Sequence, residues 1–149
     1  MAWMALGPGN SPADEVEVGK ATRLPAEWRL HRDLYRQRAD VAAIIRSRPA
    51  FCTTLACIDR VQQEGIPAFH PDVVLAAGGA VRCAAAAPPD SSASFEHIAA
   101  ALVDRAACLL AARGLLTTGA TLQAAAQRAA ELETLAQIYW QFLLASRAP

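Results

Sequence analysis

An excess of charge of either sign is missing from this sequence: 14 Lys and Arg residues balance 14 Asp and Glu residues across 149 positions. That balance offers no general electrostatic grip on nucleic acid or on an anionic membrane, so neither is expected as a partner. Long hydrophobic runs are missing too. Alanine inflates the 54% apolar content, and a run such as Ala106 to Ala112 falls far short of the roughly 20 residues a spanning helix needs. Met1 to Gly9 has neither the basic start nor the apolar stretch of a secretory signal. The four cysteines (Cys52, Cys57, Cys83 and Cys108) form no CxxC pair. Reduced, buried thiols and a cytoplasmic location are therefore expected. The three histidines, His31, His70 and His97, show neither HxH nor HxxxH spacing, a weak metal signal. His31 and His70 read as hydrogen-bonded core or interface residues, His97 as surface. Gly78-Gly79 lacks the strand–GxGxxG–helix setting of a dinucleotide site, and no GxSxG occurs. There is no internal repeat.

What is present suits one domain with a sizeable core. Residues 1–14, broken by Gly7-Pro8-Gly9 and Pro12, read as an irregular arm, and 15–149 as the folded domain. Glu15 to Val18 alternates like a short strand. Leu24-Pro25 opens a helix carrying Trp28, Leu30, His31, Leu34 and Tyr35 through about Arg38. Val41 starts a strand, and Pro49 a helix to about Ile58. Arg60 to Pro67 reads as a polar loop, and Ala68–Val74 and Val81–Ala84 as short strands around Gly78-Gly79. A helix over about Ser94–Asp104 follows, then a buried strand Ala106–Ala112 that Arg113-Gly114 breaks. Thr121 caps a long final helix with Leu122, Ala129, Leu132, Leu135, Ile138, Tyr139 and Phe142 on one stripe. The class is α/β or layered α+β, a mixed sheet flanked by helices.

The strand from Val41 ends in Arg46-Ser47-Arg48-Pro49. Residues two apart on a strand share a face, so Arg46 and Arg48 leave the same side. Two guanidiniums so placed repel unless an anion or a carboxylate lies between them.

Several segments resemble the class II aldolase/adducin family, in order and in register. They are Pro25-Ala26-Glu27-Trp28-Arg29-Leu30-His31, Ala43-Ile44-Ile45 with Pro49, Ile66-Pro67-Ala68-Phe69-His70, Ala76-Ala77-Gly78-Gly79, Gly114-Leu115, and Leu132-Glu133 with Leu135 to Tyr139. The resemblance runs from about Glu15 to Ser146 and implies that family's fold, with sites between subunits of a ring tetramer. It also implies a zinc ion held by three histidines, with a glutamate as acid/base. The glutamate matches Glu27. The three histidines match Arg46, Arg48 and Arg113, and the family's tyrosine acid corresponds roughly to Pro71. The family's N-terminal strands and phosphate-cradling loop have almost no room ahead of Glu27. Gly9-Asn10-Ser11 echoes the phosphate motif but stands too close to Glu27 to be the same element.

Arginine stays protonated and offers no lone pair to a metal. The expectation is a zinc-free, degenerate member with no cofactor and with Glu27 left at the catalytic position. Arg46, Arg48 and Arg113 would then bind a phosphate or carboxylate, as in a sugar phosphate. The protein would act as a binding or assembly subunit, in a homo-oligomer such as a tetramer or in a larger complex. The alternative is a lyase on a sugar phosphate whose arginines stabilise an oxyanion beside Glu27.

Overall fold

The computed structural model describes residues 26–88 and 91–146, with side chains from residue 30 onward. The expected N-terminal arm, the Glu15–Val18 strand and any strands ahead of Glu27 lie outside the described residues.

Among the described residues the sheet is mixed, in the order β1-β4-β3-β2. Helix α1 (Ala26–Gln37) leads into β1 (Ala43–Ser47). Two short helices, α2 (Ala50–Leu55) and α3 (Asp59–Glu64), and then α4 (Pro71–Ala77) precede β2 (Cys83–Ala84). Helix α5 (Ser92–Ala101), the hairpin β3 (Ala107–Leu110) and β4 (Gly114–Gly119), and the long α6 (Leu122–Ala145) complete the order. β4 runs antiparallel to both β1 and β3, whereas β2 and β3 are parallel.

Strand alternation divides the core between the two faces of the sheet. Leu109 and Leu115 pack on one face with Cys52 and Leu55 of α2, Val73 of α4, and Leu132, Leu135 and Tyr139 of α6. Ile44, Cys108, Leu110 and Leu116 pack on the other with Leu34 of α1 and Ile98 and Leu102 of α5. Covering both faces makes β3 and β4 buried throughout, the pattern of an α/β layer arrangement.

Several elements differ from the sequence expectation. The Arg60–Pro67 stretch is not all loop: Asp59–Glu64 is helical, with Val61 buried, an exposed Arg60–Glu64 pair at 2.8 Å and Gly65 at φ 75° as its stop. Ala68–Val74 is not a strand. His70 caps α4 by accepting from Asp72 N, Pro71 occupies the first turn, and Gly78 ends the helix at φ 83°. These caps outweigh the β-branched pair Val73-Val74. The helix from Pro49 stops at Leu55, short of Ile58. The buried strand is shorter than expected and ends at Leu110. Arg113-Gly114 does not end the sheet there but turns the chain into β4, an unforeseen strand. On α6, Leu132, Leu135 and Tyr139 are buried as expected, but Leu122, Ile138 and Phe142 are exposed.

Candidate functional site

The arginine end of the sheet is built from β1 and the β3–β4 hairpin. In β1, Ala43, Ile44 and Ile45 are buried, whereas Arg46 and Ser47 are half-buried and Arg48, just past the strand, is exposed. Arg46 pairs with Leu116 and Ser47 with Leu115, so the next pair in register would be Arg48 with Gly114. The contact there is close: a Cβ on Gly114 would stand 2.3 Å from the Ser47 carbonyl oxygen and 3.1 Å from Arg48 Cα. The backbone thus carries Arg48 and Arg113 past each other, with Arg46 two residues back on β1.

Arg113 does not break off a buried strand Ala106–Ala112, as the sequence suggested. β4 lies between β1 and β3, and Arg113 sits in the turn joining the hairpin, its N–H bonded to the Leu110 carbonyl. The preceding Ala112, at φ 55°, donates its N–H to the Ala56 carbonyl just after α2. The Arg113 side chain is half-buried, and Nη2 donates to the Ala87 carbonyl at 3.3 Å. One N–H therefore holds the loop after β2, and among the described residues the rest of the guanidinium fork makes no further hydrogen bond. Glu27 falls in the first turn of α1, and its side chain lies outside the described residues.

The histidines separate. His31 is buried in α1 with its ring edge-on to Tyr35 at 6.3 Å. His70 is exposed rather than in the core, because it serves as the cap of α4. His97 lies half-buried at the surface, with Nδ1 3.2 Å from the Ala85 carbonyl oxygen. Cys57 is exposed, against the expectation of four buried thiols, and all four are free. Burial pushes the Cys83 thiol up to about 11 and raises Cys52 and Cys108 further, so these three are poor nucleophiles at neutral pH.

Among the described residues no three His, Cys, Asp or Glu side chains gather as a metal could require. Nor do the three positions that the family resemblance assigns to zinc fit the ion, because each holds a guanidinium. No helix among the described residues is long and apolar enough to cross a membrane.

Glu133, which sequence reasoning passed over, lies next to this end. Its carboxylate accepts from the N–H groups of Phe51 at 2.8 Å and Cys52 at 2.9 Å, the first amides of α2. The available signal was Pro49 itself, which starts a helix without a side-chain oxygen to cap it.

Comparison with known proteins agrees with this layout. The class II aldolase and adducin N-terminal domain matches residues 2–140. A 5-methylthioribulose-1-phosphate/5-deoxyribulose-1-phosphate aldolase of Rhodospirillum rubrum is 42% identical over 118 residues, spanning 79% of this chain and 52% of that protein. The L-fuculose phosphate aldolase of Escherichia coli K12 is 36% identical over 118 residues, spanning 78% of this chain and 53% of that protein. A solved L-fuculose 1-phosphate aldolase superposes with a TM-score of 0.71 at 32% identity, covering 85% of this chain and 57% of its own. The chain spans about half the length of these curated relatives. Its sequence and its fold together show that the chain belongs to the class II aldolase/adducin family.

Proposed function

We propose that this chain is a zinc-free member of the family that binds a phosphate or carboxylate group, as carried by a sugar phosphate, at Arg46, Arg48 and Arg113. The observation that carries the reading is the Gly114 contact, which puts Arg48 and Arg113 on adjoining backbone at one sheet end. Two guanidiniums such as those of Arg48 and Arg113 would repel by roughly 3 kcal/mol if about 5 Å apart at an effective dielectric near 20, and an anion between them offsets this. The planar guanidinium fork matches the oxygens of phosphate and carboxylate. The names of the relatives, all aldolases of phosphorylated sugars, point to the same ligand class.

Aldol cleavage by the family's route is not part of the proposal. A carbon acid next to a carbonyl needs its enediolate stabilised, and metal supplies several kcal/mol of that. Each 1.36 kcal/mol lost slows the reaction about tenfold. Assembly into a homo-oligomer or a larger complex is the second half of the proposal. It is supported by exposed apolar side chains on neighbouring helices, Val74 and Leu75 on α4 and Ile138 and Phe142 on α6.

Protein purified without a histidine tag is expected to carry no stoichiometric zinc and to cleave no ketose phosphate, with or without EDTA. Zinc-dependent, EDTA-sensitive cleavage would refute the zinc-free reading.

A further inference from the structure

Helix α2 begins without a cap of its own. Its N-cap residue, Pro49, makes no side-chain cap bond, and its first turn has no acidic residue. The first amides of a helix nevertheless need acceptors. Here they find both in one carboxylate from the far end of the chain, at 2.8 Å from Phe51 N and 2.9 Å from Cys52 N. Cys52 Sγ adds a second tie to α6, 3.6 Å from the Leu132 carbonyl oxygen. Glu133 fills these amides, so they are not open to a ligand. Between the pinned Phe51 amide and Arg48 stand only Ala50 and Pro49, whose ring holds φ at −68°. On the other flank, Gly114 lies against Ser47 and Arg48 with no room for a side chain. The backbone of Arg48 is gripped from both sides.

We infer that Glu133 is a positioning residue for the anion site, acting through Pro49 on Arg48; this rests on the anion-binding reading above. Glu133 touches no ligand, and its two effects have opposite signs. Its negative charge, held at the Phe51 and Cys52 amides three and four residues beyond Arg48, disfavours a bound anion by simple Coulomb repulsion. Its hold on α2 favours binding, because a backbone already fixed beside Arg48 leaves less freedom to lose when the anion arrives. If positioning dominates, removing the carboxylate weakens anion binding. If charge dominates, removal tightens it.

The test titrates inorganic phosphate calorimetrically onto the full chain, Glu133→Gln and Glu133→Ala, each also in an Arg48→Ala background. All are compared at a temperature where circular dichroism shows them folded. Glu133→Ala is expected to weaken phosphate binding about fivefold or more, roughly 1 kcal/mol. Glu133→Gln, which keeps one acceptor oxygen, is expected to weaken it less. In the Arg48→Ala background neither change weakens binding further, as a positioning role exerted through Arg48 requires. Unchanged or tighter binding by both Glu133 variants overturns the inference, as does equal weakening with and without Arg48. A wild-type chain that fails to bind phosphate brings down the anion-site reading itself, and this inference with it. If Glu133→Ala does not fold, Glu133→Gln alone carries the comparison.

Discussion

At Gly114 the backbone holds φ at 118°, and the place of a Cβ is filled by the Ser47 carbonyl oxygen at 2.3 Å. Glycine is therefore required twice over, by conformation and by space. Gly114→Ala is expected to lower stability by about 2 kcal/mol or more, read by chemical denaturation. The buried thiols give a second expectation at this scale. Burial raises Cys83 from the ordinary thiol value of 9.0 to about 11, and lifts Cys52 and Cys108 as well. Unfolded thiols lose their protons first as pH rises, so the native state then binds more protons and stability falls. The fall begins near pH 9 and, for Cys83, levels off above about pH 11. A chain with Cys83→Ala should show a shallower decline of thermal midpoint across that window. At the arginines, alternation predicts one face for Arg46 and Arg48; in the structure Arg46 is half-buried within β1 and Arg48 exposed just past its end. The place of Arg113 was legible only from the family resemblance, because its approach to Arg48 depends on a hairpin that the apolar run disguised. Glu133 was not legible as a partner of α2 because its contact spans more than eighty residues.

Elements whose local signals agreed were legible. Thr121 caps α6 by accepting from Ala124 N, and α1 and β1 follow their apolar spacing closely. Where signals conflicted, caps prevailed over side-chain shape: α4 contains Val73-Val74 but is bounded by His70-Pro71 and Gly78. β4 was hidden because Gly114 looks like a stop, whereas here it is the first residue of the returning strand. The α6 stripe was half right, since packing against the sheet takes Ala125 and Ala136 in place of Ile138 and Phe142. Alanine at those places lets the helix approach closely, a role that periodicity of large side chains does not register. Arg128 on α6 joins three elements, donating to the Ala76 carbonyl at the end of α4 and to the Thr118 carbonyl of β4. Arg128→Ala leaves both carbonyls without this donor and is expected to cost about 1–3 kcal/mol. Hydrogen exchange should show α4 opening before the sheet.

Across the whole molecule, the two-faced core and mixed sheet are those of the family, and the histidine positions implied by the resemblance carry arginine. Leu75, at 79% exposure, and Phe142, at 61%, are large apolar groups left at the surface of α4 and α6. Light scattering at micromolar concentration is expected to report a mass above that of one chain, and Leu75→Asp with Phe142→Asp to reduce it. The family fold was legible because its motifs lie in register along the chain, each with a local physical reason. Whether the arginines serve a ligand was not, since charge in sequence does not say what neutralises it. The most direct measurement is a calorimetric titration of phosphate onto the wild type and onto Arg46→Ala/Arg48→Ala at low salt. Binding by the wild type, weakened by added salt and reduced about tenfold or more in the variant, is the predicted result, because each lost charged hydrogen bond is worth about 1.5–3 kcal/mol. No heat of binding in either protein, with thermal midpoints indifferent to phosphate, would contradict an anion site at this end of the sheet.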